Sequence, residues 1–197
     1  MRSPSTTGSR WSRSGLLALL ACLALVVAIT AQTPDPSTDY RRRWADVGIG
    51  SWGEVENASV RVTSVRLTRS AVQSTYSDPL RTEVTFVVVT VEARVRQHQV
   101  YFDNLTLHTA DDRDYEPRPD FIAAELAATP PGFTRAGTEV FEVPTARVPS
   151  AQLWFDADGA AFDVYALAVR VDLALDATTP VEPGPLQIEE TTVRATP

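Results

Sequence analysis

His98 and His108 are the only two histidines of this chain, with Asp103 and Asp111 close by in sequence. Two imidazoles and a carboxylate could hold zinc. Their spacing fits no characteristic zinc pattern, however, and polar residues also gather at solvated hairpin tips. Two acidic groups raise calcium instead: Asp111, Asp112 and Asp114 with Glu116, and Asp156-Ala157-Asp158-Gly159. Calcium takes about six to eight oxygens, continuing past the glycine of its loop. Here Ala160-Ala161-Phe162-Asp163 comes next, with no glutamate at the far position. Asp156 and Asp158 therefore stand as a weak metal candidate, because Asp and Gly are also what tight turns require.

Gly48-Ile49-Gly50-Ser51-Trp52-Gly53 matches a dinucleotide-binding fingerprint by letter. That motif works only between a strand and a helix N-terminus. Glu54-Val55-Glu56-Asn57 and a β-branched run come after it instead. The glycines are better read as a turn into a first strand, with Trp52 packed down. Ser51 makes no nucleophile elbow, since Ile49 occupies the first glycine position. No base, nucleophile and orienting partner can be placed together. The chain reads as non-catalytic, with no cofactor.

The elements that position these residues have a period of two. Ala58 to Leu67 places Val60 and Val62, then Val65 and Leu67; the change of phase predicts a bulge near Thr63-Ser64. Thr82 to Gln97 is apolar on both faces at its middle, the mark of a central strand. Val100 to His108 is expected to pair with it as a hairpin, and Asp111-Asp112-Arg113-Asp114 to turn tightly into Tyr115. Pro119 to Ala128 has room for one or two helical turns. Gly137 to Val143, Ala151 to Phe155 and Ala161 to Leu175 complete the set, the last with Leu167, Val169, Val171 and Leu173 alternating. Some seven strands at this spacing imply an all-β, antiparallel β-sandwich.

Ahead of it lies a different kind of sequence. Arg2, Arg10 and Arg13 precede an uncharged apolar run over 15–31, long enough to cross a bilayer core. Three fates compete. Cleavage after Ala31 or Thr30 leaves poor residues at the cut. Leu19-Leu20-Ala21-Cys22 resembles a lipobox, but an apolar stretch lies beyond the cysteine. An uncleaved single-pass anchor with residues 1–14 in the cytoplasm fits best. Residues 32–44 are then a polar spacer, 45–176 the sandwich, and 177–197, with four prolines, a disordered or loosely docked tail.

All 18 basic residues are arginine, a usage resembling high-GC bacterial coding. Beyond residue 14, 15 of them face all 25 Asp and Glu, a net charge of −10. Such a domain repels phosphate backbones, which excludes nucleic acid as a partner. Cys22 is the only cysteine and lies inside the apolar run, so the domain is held by its core and not by disulfides.

Phe86-Val-Val-Val-Thr-Val-Glu-Ala93, Leu105 through Tyr115, and Pro130-Pro-Gly-Phe through Phe141-Glu-Val-Pro144 occur in an order and spacing that resembles the telokin-like, immunoglobulin-like domain of bacterial envelope proteins and secreted antigens, a domain of unknown function. The resemblance covers roughly residues 50–175; Arg113 stands where the family usually has glycine. It implies an immunoglobulin-like sandwich outside the cytoplasm and no catalytic residues. The expected role is a membrane-anchored interaction module whose partner is an envelope protein or surface component. Partner-binding candidates are Tyr101, Asn104, Asp111, Asp112, Asp114 and Phe133, on loops at the sandwich ends. The alternative is a sensor of calcium or a small ligand using the acidic turns.

Overall fold

The computed structural model describes Cys22 and residues 43–55, 58–73, 77–97, 104–121, 129–156 and 167–196. The chain divides into two units, Met1–Tyr40 and Arg41–Pro197. The apolar run 15–31 lies, Cys22 apart, outside the described residues. Among those described, no helix is long and apolar enough to cross a membrane.

The second unit is all-β. Its strands are β1 (Arg43–Gly48), β2 (Gly53–Val55), β3 (Ala58–Val72), β4 (Leu80–Val95), β5 (Asn104–Thr109), β6 (Arg113–Tyr115), β7 (Phe133–Val143), β8 (Gln152–Asp156), β9 (Leu167–Asp172), β10 (Val181–Glu182), β11 (Leu186–Gln187) and β12 (Thr192–Ala195). They form a five-stranded sheet, β1-β9-β8-β5-β6, and a seven-stranded sheet, β10-β3-β4-β7-β12 with β2 and β11 also on β3. Most pairings are antiparallel; β1 on β9, and β10 and β11 on β3, are parallel. Arg43 and Trp44, read from sequence as the end of the spacer, open β1.

Alternation decides what lies between the sheets. Val60, Val62, Val87, Val89, Val91, Phe141 and Val143 from the larger sheet meet Leu105, Leu107, Leu153, Phe155, Val169 and Val171 from the smaller one. The ladder between β3 and β4 shifts register between Val62 and Ser64, so Thr63 is the bulged residue the change of phase predicted. The bulge turns Val65 and Leu67 back inward opposite Val89 and Val87.

Two expectations change. β4 and β5 are not a hairpin: β4 lies between β3 and β7, whereas β5 pairs with β8 and β6. Alternation identifies a strand but is silent about its neighbour. The proline-rich C-terminus is not loose, because Leu186 and Ile188 are buried with Ala71, Phe86, Val88, Phe121 and Val140 in a second apolar cluster. Phe86 and Val88 face away from the interior, on the outer side of the larger sheet. That outer face of β4 must be covered, and the C-terminal segment does so. Finally, Phe121 belongs to that cover, with Arg118 N–H donating to Val140 O at 2.7 Å; the rest of the stretch expected to turn helically, 122–128, lies outside the described residues.

Candidate functional site

The smaller sheet turns Ala45, Val47, Leu105, Leu107, Leu153, Phe155, Val169 and Val171 inward. The alternate residues Trp44, Asp46, Arg170, Trp154 and His108 therefore line its outer face. In register, Trp154 is opposite Arg170 and Thr106, while His108 is opposite Gln152 and Asp114. Diagonal neighbours on one face come within reach of large side chains, and here they touch. The His108 and Trp154 rings stack with centroids 3.8 Å apart and planes 17° from parallel. Trp154 meets Trp44 at 4.7 Å. The Arg170 guanidinium lies 5.1 Å from the Trp44 centroid and forks onto Asp46, at 2.7 and 3.1 Å from its two carboxylate oxygens. Both buried apolar clusters lie elsewhere, in the interior and on the outer side of the larger sheet. Trp44 and Trp154 remain only half-buried.

The acidic turn borders this face. Ala110 to Asp112 link β5 to β6, and Asp112 takes a left-handed φ of 59°, the conformation a three-residue hairpin loop needs at its last position. Asparagine and aspartate tolerate it better than most residues. Arg113, where the resembling family usually has glycine, is then an ordinary strand residue paired with Thr109. Asp111 accepts from Thr109 Oγ1 at 2.7 Å and ion-pairs with Arg147 Nε at 2.8 Å. These contacts, the hydroxyl first, hold its carboxyl below the usual carboxylate range. Arg147 also donates to Tyr115 Oη at 2.8 Å. Asp114 Oδ1 lies 2.8 Å from His108 Nδ1, and Asp112 Oδ1 3.6 Å from Nε2.

The remaining sequence candidates scatter. Phe133 opens β7 and is 39% exposed, paired with Ala195. Arg147, beyond the far end of the 11-residue β7, is the residue that reaches Asp111. Phe133 and the acidic turn thus sit at opposite ends of the sandwich. Asn104 starts β5 opposite Asp156, but neither side chain is described. Tyr101, Asp158, His98 and Asp103 lie outside the described residues. Among the described residues, no group of three or more His, Cys, Asp or Glu could hold a metal ion.

The glycine string proves structural. Gly50 has a φ of +84° and donates its N–H to Val62 O at 2.7 Å. Trp52 is clamped by guanidinium groups, Arg94 at 3.4 Å and Arg61 at 4.5 Å from its ring centroid. Glu92, nearly buried, ties the same corner together through Arg61 at 2.6 Å and Arg194 at 2.7 Å. Glu139, by contrast, lies in inward register opposite Val89. It is 8% exposed, and burial pushes its carboxyl up to about 7.

Sequence reasoning missed Trp44, Trp154 and Arg170. The available signal was an aromatic at the polar-phase position of an alternating strand: Trp44-Ala45-Asp46-Val47, and Gln152-Leu153-Trp154-Phe155-Asp156. Only the strand order shows that the two meet.

Compared with known proteins, the chain matches no protein-family model and no curated relative. Among solved structures it is similar to the yjhA protein of Bacillus subtilis, at 11% identity and a TM-score of 0.48 over 64% of this chain and 98% of that one. It is also similar to an uncharacterized β-sandwich protein of Clostridium difficile 630, at 11% identity and a TM-score of 0.45 over 71% and 99%. The described residues of the second unit themselves form two facing β-sheets.

Proposed function

We propose that this protein is a non-catalytic interaction module of the cell envelope, tethered by residues 15–31 as a single-pass anchor with its sandwich outside the cytoplasm. Its sandwich is of the telokin-like, immunoglobulin-like type, on the strength of the three stretches around Phe86, Asp111 and Phe141. The observation that carries the role is the outer face of the smaller sheet, where Trp44, Trp154 and His108 form an uninterrupted aromatic row outside both buried clusters. Aromatic residues at a surface are what partner-binding patches are enriched in. A spacer of about a dozen residues reaches only tens of ångströms, which favours another envelope component as partner.

The calcium-sensing alternative draws on the same turn. It is the weaker reading, because Asp111 is held by Arg147 and Asp114 by His108, which leaves the turn short of the roughly six or more oxygens that calcium takes. Unfolding curves with and without calcium test it.

The main reading is tested in native membranes, with a photocrosslinking residue at Thr106, on the aromatic face, and at Ser64, on the opposite outer face. The full chain should fractionate with membranes, be cut by protease added from outside, and give a discrete adduct from Thr106 alone. A soluble mature form starting near Gln32 would overturn the anchor. Equal adducts from both positions, or turnover of a substrate by the purified protein, would overturn the role.

A further inference from the structure

Resting on that reading, the geometry points to the chemistry of the partner: the outer face of the smaller sheet takes an arginine side chain, laid against the Trp154–His108 pair and forked by Asp112 and Asp114. The chain's own arginines set the pattern. Arg170 lies over Trp44 and forks onto both oxygens of Asp46. Arg61 lies over Trp52 and donates from Nε to Glu92 at 2.8 Å. Each time, tryptophan supplies a face with negative potential and a carboxylate accepts from the guanidinium, through both oxygens at Asp46 and through Oε2 alone at Glu92.

The same two ingredients meet a third time beside Trp154, with an imidazole on the ring and no guanidinium. Trp154 stacks on His108 at 3.8 Å, and His108 lies 2.8 Å from Asp114 and 3.6 Å from Asp112. Those carboxylate side chains are 61% and 97% exposed. Among the described residues, the guanidinium groups over tryptophan rings lie on Trp44 and Trp52, none on Trp154. Charge complementarity decides the sign of the occupant. The chain carries a net charge of −7, Arg170 and Arg147 are already paired with Asp46 and Asp111, and a positive partner is steered towards what remains. Arginine is favoured over lysine because its planar fork both stacks on a ring and matches a carboxylate in two bonds, which a point-charge ammonium cannot do. A sugar chain stacked on the same tryptophans is the competing occupant, and nothing in it would need two exposed carboxylates.

The test uses the full chain in detergent micelles, titrated with a tetra-arginine amide, a tetra-lysine amide and chitotetraose, with heat of binding as the readout. Tetra-arginine should bind about tenfold more tightly than tetra-lysine, and less tightly as salt is raised. Trp154→Ala should weaken it about tenfold. Because that variant removes a packed ring, Asp112→Asn with Asp114→Asn provides a second one on exposed positions, also expected to lose about tenfold. Equal affinity for the two peptides, or full binding by the double Asn variant, would overturn the inference. So would chitotetraose binding that depends on Trp154 while tetra-arginine stays silent. If the Thr106 adduct persists while tetra-arginine fails, this inference falls and the proposed function stands. If tetra-arginine binds as expected but no adduct forms in membranes, the proposed function falls instead.

Discussion

Gly53 on β2 and Val169 on β9 touch across the two sheets so closely that a Cβ at Gly53 would lie 2.8 Å from Val169 Cγ2 and nearer still to Cγ1. Real Cβ atoms do not approach so near, and a valine in the core has no free end to swing aside. The last glycine of the 48–53 string is therefore a packing requirement. Gly53→Ala should cost about 1–3 kcal/mol, the usual range for overpacking. Gly48→Ala, with nothing within 4 Å of its Cβ, should stay within about 0.5 kcal/mol. Urea unfolding of both variants checks this; equal losses would mean the sheets part easily at this edge.

Strand identity and sheet neighbours differ in how far they could be read. The change of phase at Thr63 and the alternation through Val169 and Val171 were legible because each is a local consequence of one face being dry. The separation of β4 from β5 was not, because both strands carry the same alternation whichever sheet they join. The tail was misread for another reason. Pro183 and Pro185 break ladder hydrogen bonds, yet Leu186 and Ile188 need only apolar contact to bury. The aromatic row escaped notice since Trp44 and Trp154 are remote in sequence, and adjacency came only with the order β1-β9-β8.

Phe141 lies between the sheets, whereas Phe86 lies under the C-terminal segment, 5.7 Å from Phe121 in an edge-to-face pair. Both are buried, so Phe→Ala at either should cost about 3–5 kcal/mol. The two clusters respond differently at the C-terminal segment. Leu186→Ala should cost about 2 kcal/mol or more, and should increase hydrogen exchange of the Ile188 N–H, which donates to Val72 O at 2.9 Å. Phe141→Ala should not single out that amide. Unfolding curves and exchange rates check this pair; a Leu186→Ala loss below about 0.5 kcal/mol would mean a tail that merely rests on the sheet.

Asp111 links the hairpin tip to Arg147, the residue that closes a 3₁₀ turn after β7. Its carboxyl is held below the usual range, so its contribution to stability is present above the unfolded value of 3.8 and is lost as pH falls below it. Asp111→Asn should lower the unfolding midpoint at neutral pH, with the difference from wild type closing in acid. Replacing Asp111, Asp112 and Asp114 together by Ser should still leave a folded sandwich, since all three are exposed. Circular dichroism melts at neutral and acid pH check both statements. A pH-independent difference would show that neither the Thr109 hydroxyl nor Arg147 favours the ionised carboxyl.

Glu139 gives the opposite sign. Its side chain sits in inward register opposite Val89, and burial lifts its carboxyl from 4.5 to about 7. Between those two values the folded protein keeps a proton that the unfolded chain has released. Stability must therefore fall as pH rises from 4.5 to about 7, and level off above. At about 1.36 kcal/mol per unit, the loss amounts to about 3 kcal/mol. Glu139→Gln has the shape of the protonated acid and no charge to desolvate. Relative to wild type it should gain about 3 kcal/mol between acid and mildly alkaline pH, through this same window. Denaturant unfolding of both proteins at pH values on either side of the window decides the matter. If the difference between them is the same at both, Glu139 is solvated in the native state and its inward register costs nothing.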